Sequence, residues 1–305
     1  MSQVRASLLL LLCAAIWGTT FVAQKTAFLP DAGGSTERLG ALGFTGLRFL
    51  LGAALVLPLA LREARTRATP LSSADRWGVF WCTAVLFAGA ITQQIGIIGT
   101  SVTNSGFLTA LYVPLVPIVA WLLCARPAHW VVWPAAAGSL LGTWLLGGAR
   151  FADVTTGDLW VTLSAVFWAF QVTLVGIHAA RSGRPLTLAA VQFAGCGGLA
   201  VAAAAMFEPL SLTAIRAAAP ELLYAGGLSV GVAFTLQVVG QRYTHPATAA
   251  IIMSSEAVFA ALAGAMVLGE SLGLLGLIGA ALILASLIAV ELVPLFWQGN
   301  RVKEF

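Results

Sequence analysis

The sequence predicts an all-α polytopic membrane protein with ten transmembrane helices in two inverted five-helix repeats. Three observations carry this. Of 305 residues, 59% are hydrophobic and only 9% charged, whereas a soluble domain carries about 25% charged residues and can cover a water-facing surface with them. The chain divides into apolar stretches each about as long as a bilayer is thick at helical rise. The two halves also align on each other, residues 1–150 forming one five-helix repeat and 151–305 the second.

The spans fall at roughly 6–28, 39–60, 77–97, 103–124, 130–148, 157–178, 186–207, 220–240, 247–268 and 271–293. The first is read as a retained membrane helix, since no small-residue cleavage site follows it. Short connections make neighbouring helices antiparallel. Trp77, Trp81, Trp121, Trp130, Trp133, Trp144, Trp160 and Trp297 fall near span ends, as interfacial anchors do. Trp17 and Trp168 lie deeper.

Lysine and arginine placement sets the orientation. With the N-terminus inside, the cytoplasmic face holds Arg5, Arg62, Arg65, Arg67, Arg76, Arg126, Arg181, Arg184, Arg242, Arg301 and Lys303, and the outer face only Arg38, Arg150 and Arg216. The outer loops hold Asp31, Glu37, Asp153, Asp158, Glu208, Glu221 and Glu270. Both termini are therefore expected in the cytoplasm and the protein in the cell inner membrane. The basic balance reflects these loops; no RNA-binding motif or basic stripe points to nucleic acid.

The internal repeat is read from order along the chain. A shift of 144 residues places Arg48-Phe49 on Gln192-Phe193, Gln93 on Gln237, Gly96 on Gly240, Thr100 on Thr244 and Tyr112 on Glu256. A slightly larger shift pairs Ala15-Ile16-Trp17-Gly18 with Val166-Phe167-Trp168-Ala169. An odd number of spans per half turns the second copy upside down. Inverted repeats serve alternating-access transport, with the substrate site near the midplane.

The stretch Thr248–Gly269 carries Glu256 near its middle, between serines and apolar residues. An acid at that depth costs a few kcal/mol or more unless paired, hydrated or protonated, which makes it a candidate site; an interhelical structural bond is the plainer alternative. Arg48, near the middle of the second span, must likewise face the interior. The two are expected to share one polar cavity, as a direct pair or through a ligand. Lys25 is placed at the outer mouth or snorkelling to the interface. Gln93, Asn104, Gln171, Gln192 and Gln237 are candidate cavity amides; otherwise they bond across helices at about 0.6 kcal/mol each. Trp17, Tyr112 and Trp168 are candidate aromatic walls.

Other features are bland. Cys13, Cys82, Cys124 and Cys196 form no CxxC and are read as packing residues. His129, His178 and His245 are scattered at predicted cytoplasmic ends, so neither a metal nor a cofactor is expected. No Walker motif occurs, so a gradient must drive transport. Gly138 and Gly142 form a GxxxG in the fifth span, which Gly276 and Ala280 imitate in the tenth. Packing within the protomer is expected there, leaving a monomer or weak homodimer.

Together, AAIWGTTFVAQK in the first span, GLRFLLGA in the second, NSGFLTALYVPLVPIVA in the fourth, FWAF in the sixth and SSEAVFAALAGAMVLGE in the ninth resemble the EamA-type branch of the drug/metabolite transporter superfamily, over nearly the whole chain. The resemblance implies export of amino acids and other small metabolites through a cavity walled by helices one to four and six to nine. The family commonly has Pro after the ninth-helix Glu; Ala257 stands here, so a kink is not expected from proline. Pro114 and Pro117 predict a bend in the fourth span. Alternatives are a nucleotide-sugar or sugar-phosphate exchanger, which needs more cavity cations than Lys25 and Arg48 supply, and an intramembrane enzyme, which needs an acid and histidine cluster at one membrane face.

Overall fold

The computed structural model describes residues 1–28, 38–66, 70–100, 102–124, 128–147, 154–268 and 273–301, and among these the regular structure is entirely helical. The helices are α1 (Gln3–Thr26), α2 (Ala41–Arg65), α3 (Ser73–Gly99), α4 (Val102–Thr109), α5 (Tyr112–Cys124), α6 (Val132–Leu146), α7 (Thr156–Ser182), α8 (Pro185–Phe207), α9 (Leu212–Ala217), α10 (Ala219–Leu223), a π-helical stretch (Tyr224–Phe234), α11 (Thr235–Gln241), α12 (Pro246–Met253), α13 (Glu256–Leu268) and α14 (Leu274–Arg301). Among the described residues, nine of the resulting units are long and apolar enough to cross a bilayer. The fifth predicted span, α6, has 15 residues among those described. Asp31, Glu37, Arg67, Arg126, Arg150, Asp153, Glu270 and Lys303 lie outside the described residues, as do the side chains of Cys124, Trp297 and Arg301.

Helix ends follow local chemistry. Ser72 with Asp75 and Thr155 with Asp158 form capping boxes, each satisfying two of the orphan donors at a helix start. That is why α3 begins four residues before the apolar run suggests. Gly183, at φ 64°, ends α7 in the left-handed region, and Pro185 opens α8 at its first position.

The most extensive pairings are α2 with α8, α3 with α7 and α6 with α14. The first is clamped at both ends by carboxylates. Glu63, near the end of α2, accepts from Leu186 N at 3.3 Å and Thr187 N at 2.7 Å at the start of α8. Glu208, capping the end of α8, accepts from Leu42 N at 3.0 Å and Gly43 N at 2.8 Å at the start of α2. A carboxylate at a helix N-terminus meets both free N–H groups and the positive end of the dipole. These reciprocal caps require α2 and α8 to run antiparallel.

The α6–α14 contact uses small residues within the chain: a Cβ added to Gly142 would lie 2.6 Å from Gly279 O, and one on Gly138 would lie 2.6 Å from Ser286 Oγ. The tenth helix thus contributes Gly279 and Ser286, in place of the expected Gly276 and Ala280. Cys13, Cys82 and Cys196 are buried in the central core. Trp77, Trp81, Trp121, Trp130 and Trp133 are exposed on the bundle surface.

Two spans are broken. The fourth divides at Ala110–Leu111 and the ninth at Ser254–Ser255. Pro114 cannot donate to Ala110 O, which accepts from Val113 N at 3.0 Å instead. The ninth breaks without proline. There Ser254 Oγ and Ser255 Oγ each donate at 2.7 Å to the carbonyls of Ile251 and Ile252, offering the backbone an alternative to the helical ladder. With Ala257 in place of the family's proline no proline kink is expected, yet the helix breaks through its serines.

Candidate functional site

The broken helices meet at the centre of the bundle. Three backbone bonds define the first break: Ala110 N to Gly106 O, Leu111 N to Leu108 O and Val113 N to Ala110 O, at 3.1, 3.3 and 3.0 Å. Shifted by 144 residues, the same three recur as Ser254 N to Ala250 O, Ser255 N to Ile252 O and Ala257 N to Ser254 O, at 3.0, 3.2 and 3.2 Å. Each helix resumes on a residue facing the same cavity, Tyr112 in α5 and Glu256 in α13. Irregular backbone at membrane depth is tolerated where it is buried in protein or lines a cavity.

That cavity encloses about 50 Å³ of free volume between its lining atoms, room for water-sized groups as the helices stand. Of the eleven residues singled out in the sequence, it gathers Trp17, Arg48, Gln93, Tyr112, Trp168, Gln171, Gln237 and Glu256. The same lining includes Thr20, Phe21, Gln24, Thr109, Val172, Ser229 and Phe234, which sequence reasoning passed over. Three of these had a signal. Thr20, Phe21 and Gln24 follow Trp17 at helical spacing on one face of α1. Phe234 had none, yet its ring is the hub of the aromatic wall: Trp17, Phe49, Trp168 and Phe193 lie 4.6, 5.6, 5.9 and 5.9 Å from it, centroid to centroid.

Arg48 is 4% and Glu256 6% exposed, so both charges are withdrawn from bulk surroundings. They share the cavity but do not pair: among the described residues no ion pair within 4.0 Å joins them. Arg48 instead lies over Phe44 and Phe49, its guanidinium carbon 5.6 and 5.4 Å from their ring centroids. Glu256 occupies the first position of α13, where the free N–H groups and dipole of the half-helix favour a negative charge.

The amides divide. Gln93 Nε2 donates to Thr109 Oγ1 and Gln237 Nε2 to Gln171 Oε1, both at 3.0 Å. These repeat-related glutamines line the same cavity, but their partners Thr109 and Gln171 are not repeat-related. Trp17 Nε1, Trp168 Nε1, Gln24 Oε1, Gln171 Nε2, Gln237 Oε1 and Arg48 Nε are buried without a protein partner. A buried polar atom in that state costs roughly 1–3 kcal/mol until something bonds it.

Lys25, Asn104 and Gln192 are not brought to this cavity. Lys25 Nζ donates to the carbonyls of Ile97, Ile98 and Thr100 at 3.0, 3.0 and 2.8 Å, capping the end of α3. It neither snorkels nor presents a free ammonium. Asn104 Nδ2 reaches Asp158 Oδ1 at 3.5 Å, and Thr100 Oγ1 donates to the same carboxylate. Gln192 is fully buried in α8, with neither amide atom bonded. Two further acids are drawn inward: Asp158 is 6% exposed, and Glu291 accepts from Ser7 Oγ at 2.9 Å between α14 and α1.

The profile of the EamA-like transporter family matches this chain twice, over residues 4–148 and 155–292. The chain belongs to the EamA-like transporter family. Its relatives include a protein of Archaeoglobus fulgidus described as an uncharacterized transporter, 30% identical over 294 residues that cover 95% of this chain and 87% of the relative. A solved structure described only as "Crystal structure of protein" shares the fold, with a TM-score of 0.75 at 19% identity, over 96% of this chain and 98% of its own. The family and fold make this EamA-like protein a multi-pass membrane transporter of the drug/metabolite type. The paired breaks and central cavity described above lie within the two matched regions.

Proposed function

We propose that this protein is a secondary transporter of the inner membrane that exports small zwitterionic metabolites, amino acids among them, by alternating access. The observation that carries the reading is the unpaired Arg48 and Glu256 in one aromatic-walled cavity. A separated buried cation and anion each lack the partner that would offset their desolvation. A ligand bearing a carboxylate and an ammonium supplies both partners at once. The unbonded indole and amide groups add hydrogen-bonding capacity around it.

Antiparallel α2 and α8 support the inverted-repeat reading, because residues 41–65 fall on 185–209 under the same 144-residue shift. With both termini cytoplasmic, each half presents the other's inside-out image, giving inward and outward states of similar energy. Lys25 is committed to α3, which leaves Arg48 as the one cationic side chain in the described lining. That weakens the sugar-phosphate reading, whose multiply charged substrate needs more cations.

The test is efflux of preloaded labelled amino acids from proteoliposomes. Wild type should release them, and Arg48→Ala and Glu256→Gln should not. Exchange of a phosphorylated sugar in place of amino acids would overturn the assignment. Labelling the chain ends with an impermeant reagent in intact cells checks the orientation; reaction at either end from outside would contradict it.

A further inference from the structure

We infer that the end of α1 beyond Gly18 is the moving gate of this transporter, held shut by Lys25 and free to swing into a groove behind it. The inference rests on the transport reading for its role, but its geometry stands on four observations.

First, α1 has open space on two opposite faces. Trp17, Thr20, Phe21 and Gln24 face the central cavity, while Thr19, Val22, Ala23 and Thr26 face a second, open groove. Pro220, Glu221, Tyr224 and Ala263 complete that groove, which holds about 350 Å³ of free volume. Close-packed interiors resist displacement; a helix with such a groove along its back meets less of that resistance.

Second, the helix has a fixed point. A Cβ on Gly18 would lie 2.5 Å from Glu256 O and 2.7 Å from Ala260 N, so α1 crosses α13 there at closest approach. Thr19 Oγ1 bonds Tyr224 Oη one residue further on. Both contacts lie at one end of the segment, as a pivot requires.

Third, the far end is held to its neighbours by few groups: Gln94 Nε2 on α3 donates to Gln24 O at 3.3 Å, Phe28 packs edge-on against Phe44, and Lys25 supplies the charged tie. Lys25 lies seven residues beyond Gly18, about 10 Å along the helix, and its ammonium bonds three carbonyls at the end of α3. Those bonds draw α1 against α3 and across the end of the cavity at Gln24. Charge-assisted bonds of this kind are strong yet reversible.

Fourth, the groove contains a second partner for that ammonium. Glu221 is a half-buried carboxylate on its wall. A swing about Gly18 exchanges the α3 carbonyls for Glu221, giving Lys25 a bonded partner at each limit of the motion.

The experiment uses full-length protein with its native cysteines replaced and Gln24→Cys as reporter, labelled in detergent by a charged thiol reagent. Lys25→Met should raise the labelling rate about tenfold, the order expected for losing charged hydrogen bonds, and Lys25→Arg should restore it. Ala23→Trp, which fills the groove without touching cavity or latch, should slow labelling below wild type and stop transport. Equal labelling rates in wild type, Lys25→Met and Ala23→Trp, with all three eluting as the wild type on gel filtration, would overturn the gate. Labelling needs no substrate: gating rates that shift as stated while no amino acid moves would keep the gate and remove the proposed cargo, and the converse would do the reverse.

Discussion

The fourth and ninth spans reach the same broken geometry by different chemistry. In the fourth, Pro114 removes a donor, so the break at Ala110–Leu111 is obligatory. In the ninth, every residue from Ala247 to Leu268 can donate, and serine hydroxyls compete for the carbonyls of Ile251 and Ile252. The common feature is therefore the backbone defect facing the cavity and not the residue that causes it. A helix broken by proline stays broken, whereas one held open by hydroxyls can re-form. The second difference is charge: the equivalent positions Tyr112 and Glu256 place a neutral hydroxyl in one half and a carboxylate in the other.

The charge difference predicts the largest effect. Glu256→Gln should lower efflux by at least about tenfold, the order of a charged hydrogen bond of ~1.5–3 kcal/mol, while Tyr112→Phe lowers it by about threefold or less. Equal losses in a proteoliposome assay would mean that position, not charge, matters. Next comes the proline. Pro114→Ala restores a donor toward Ala110 O and should reseal the helix, slowing transport several-fold while raising thermal stability in detergent; a fall in melting temperature would contradict the account. Ser255→Ala should act more weakly on transport and cost about 1 kcal/mol of stability, since it removes one hydroxyl bond to Ile252 O. Melting curves of the single variant and of Ser254→Ala with Ser255→Ala separate the two contributions. The double variant also loses the 2.6 Å bond from Ser254 to Ser139.

The smallest effect is a pH dependence outside the spans. His245 Nδ1 accepts from Ala247 N at 3.3 Å as the N-cap of α12, and burial holds its imidazole below the usual histidine range. A depressed folded-state value means the unfolded chain binds the proton more readily. Stability is then fully present above about pH 6.5, the ordinary value, and is lost as pH falls from there through the folded-state value. Melting temperature should drop over that window in wild type and drop less in His245→Asn, which keeps a capping acceptor without titrating.

Spans and their order were legible because a bilayer demands about twenty apolar residues per crossing and permits few charges within them. Arg48 and Glu256 were legible for the same reason, since each breaks that rule. The 144-residue alignment paired Tyr112 with Glu256 and Gln93 with Gln237, and all four line one cavity. The destination of Lys25 was not legible: its partners are carbonyls, which every residue has and no sequence pattern marks. Glu208 reads as an outer-loop acid, although it and Glu63 each cap a helix of the other half.

The sequence by itself determined a ten-span, two-part membrane protein with a buried cation and anion, because hydropathy and charge act residue by residue against the solvent. Only the tertiary structure decided that the two charges stand apart, that Phe234 joins the aromatic wall and that Lys25 closes on α3. Those outcomes depend on distances between helices far apart in the chain, which packing sets and composition does not.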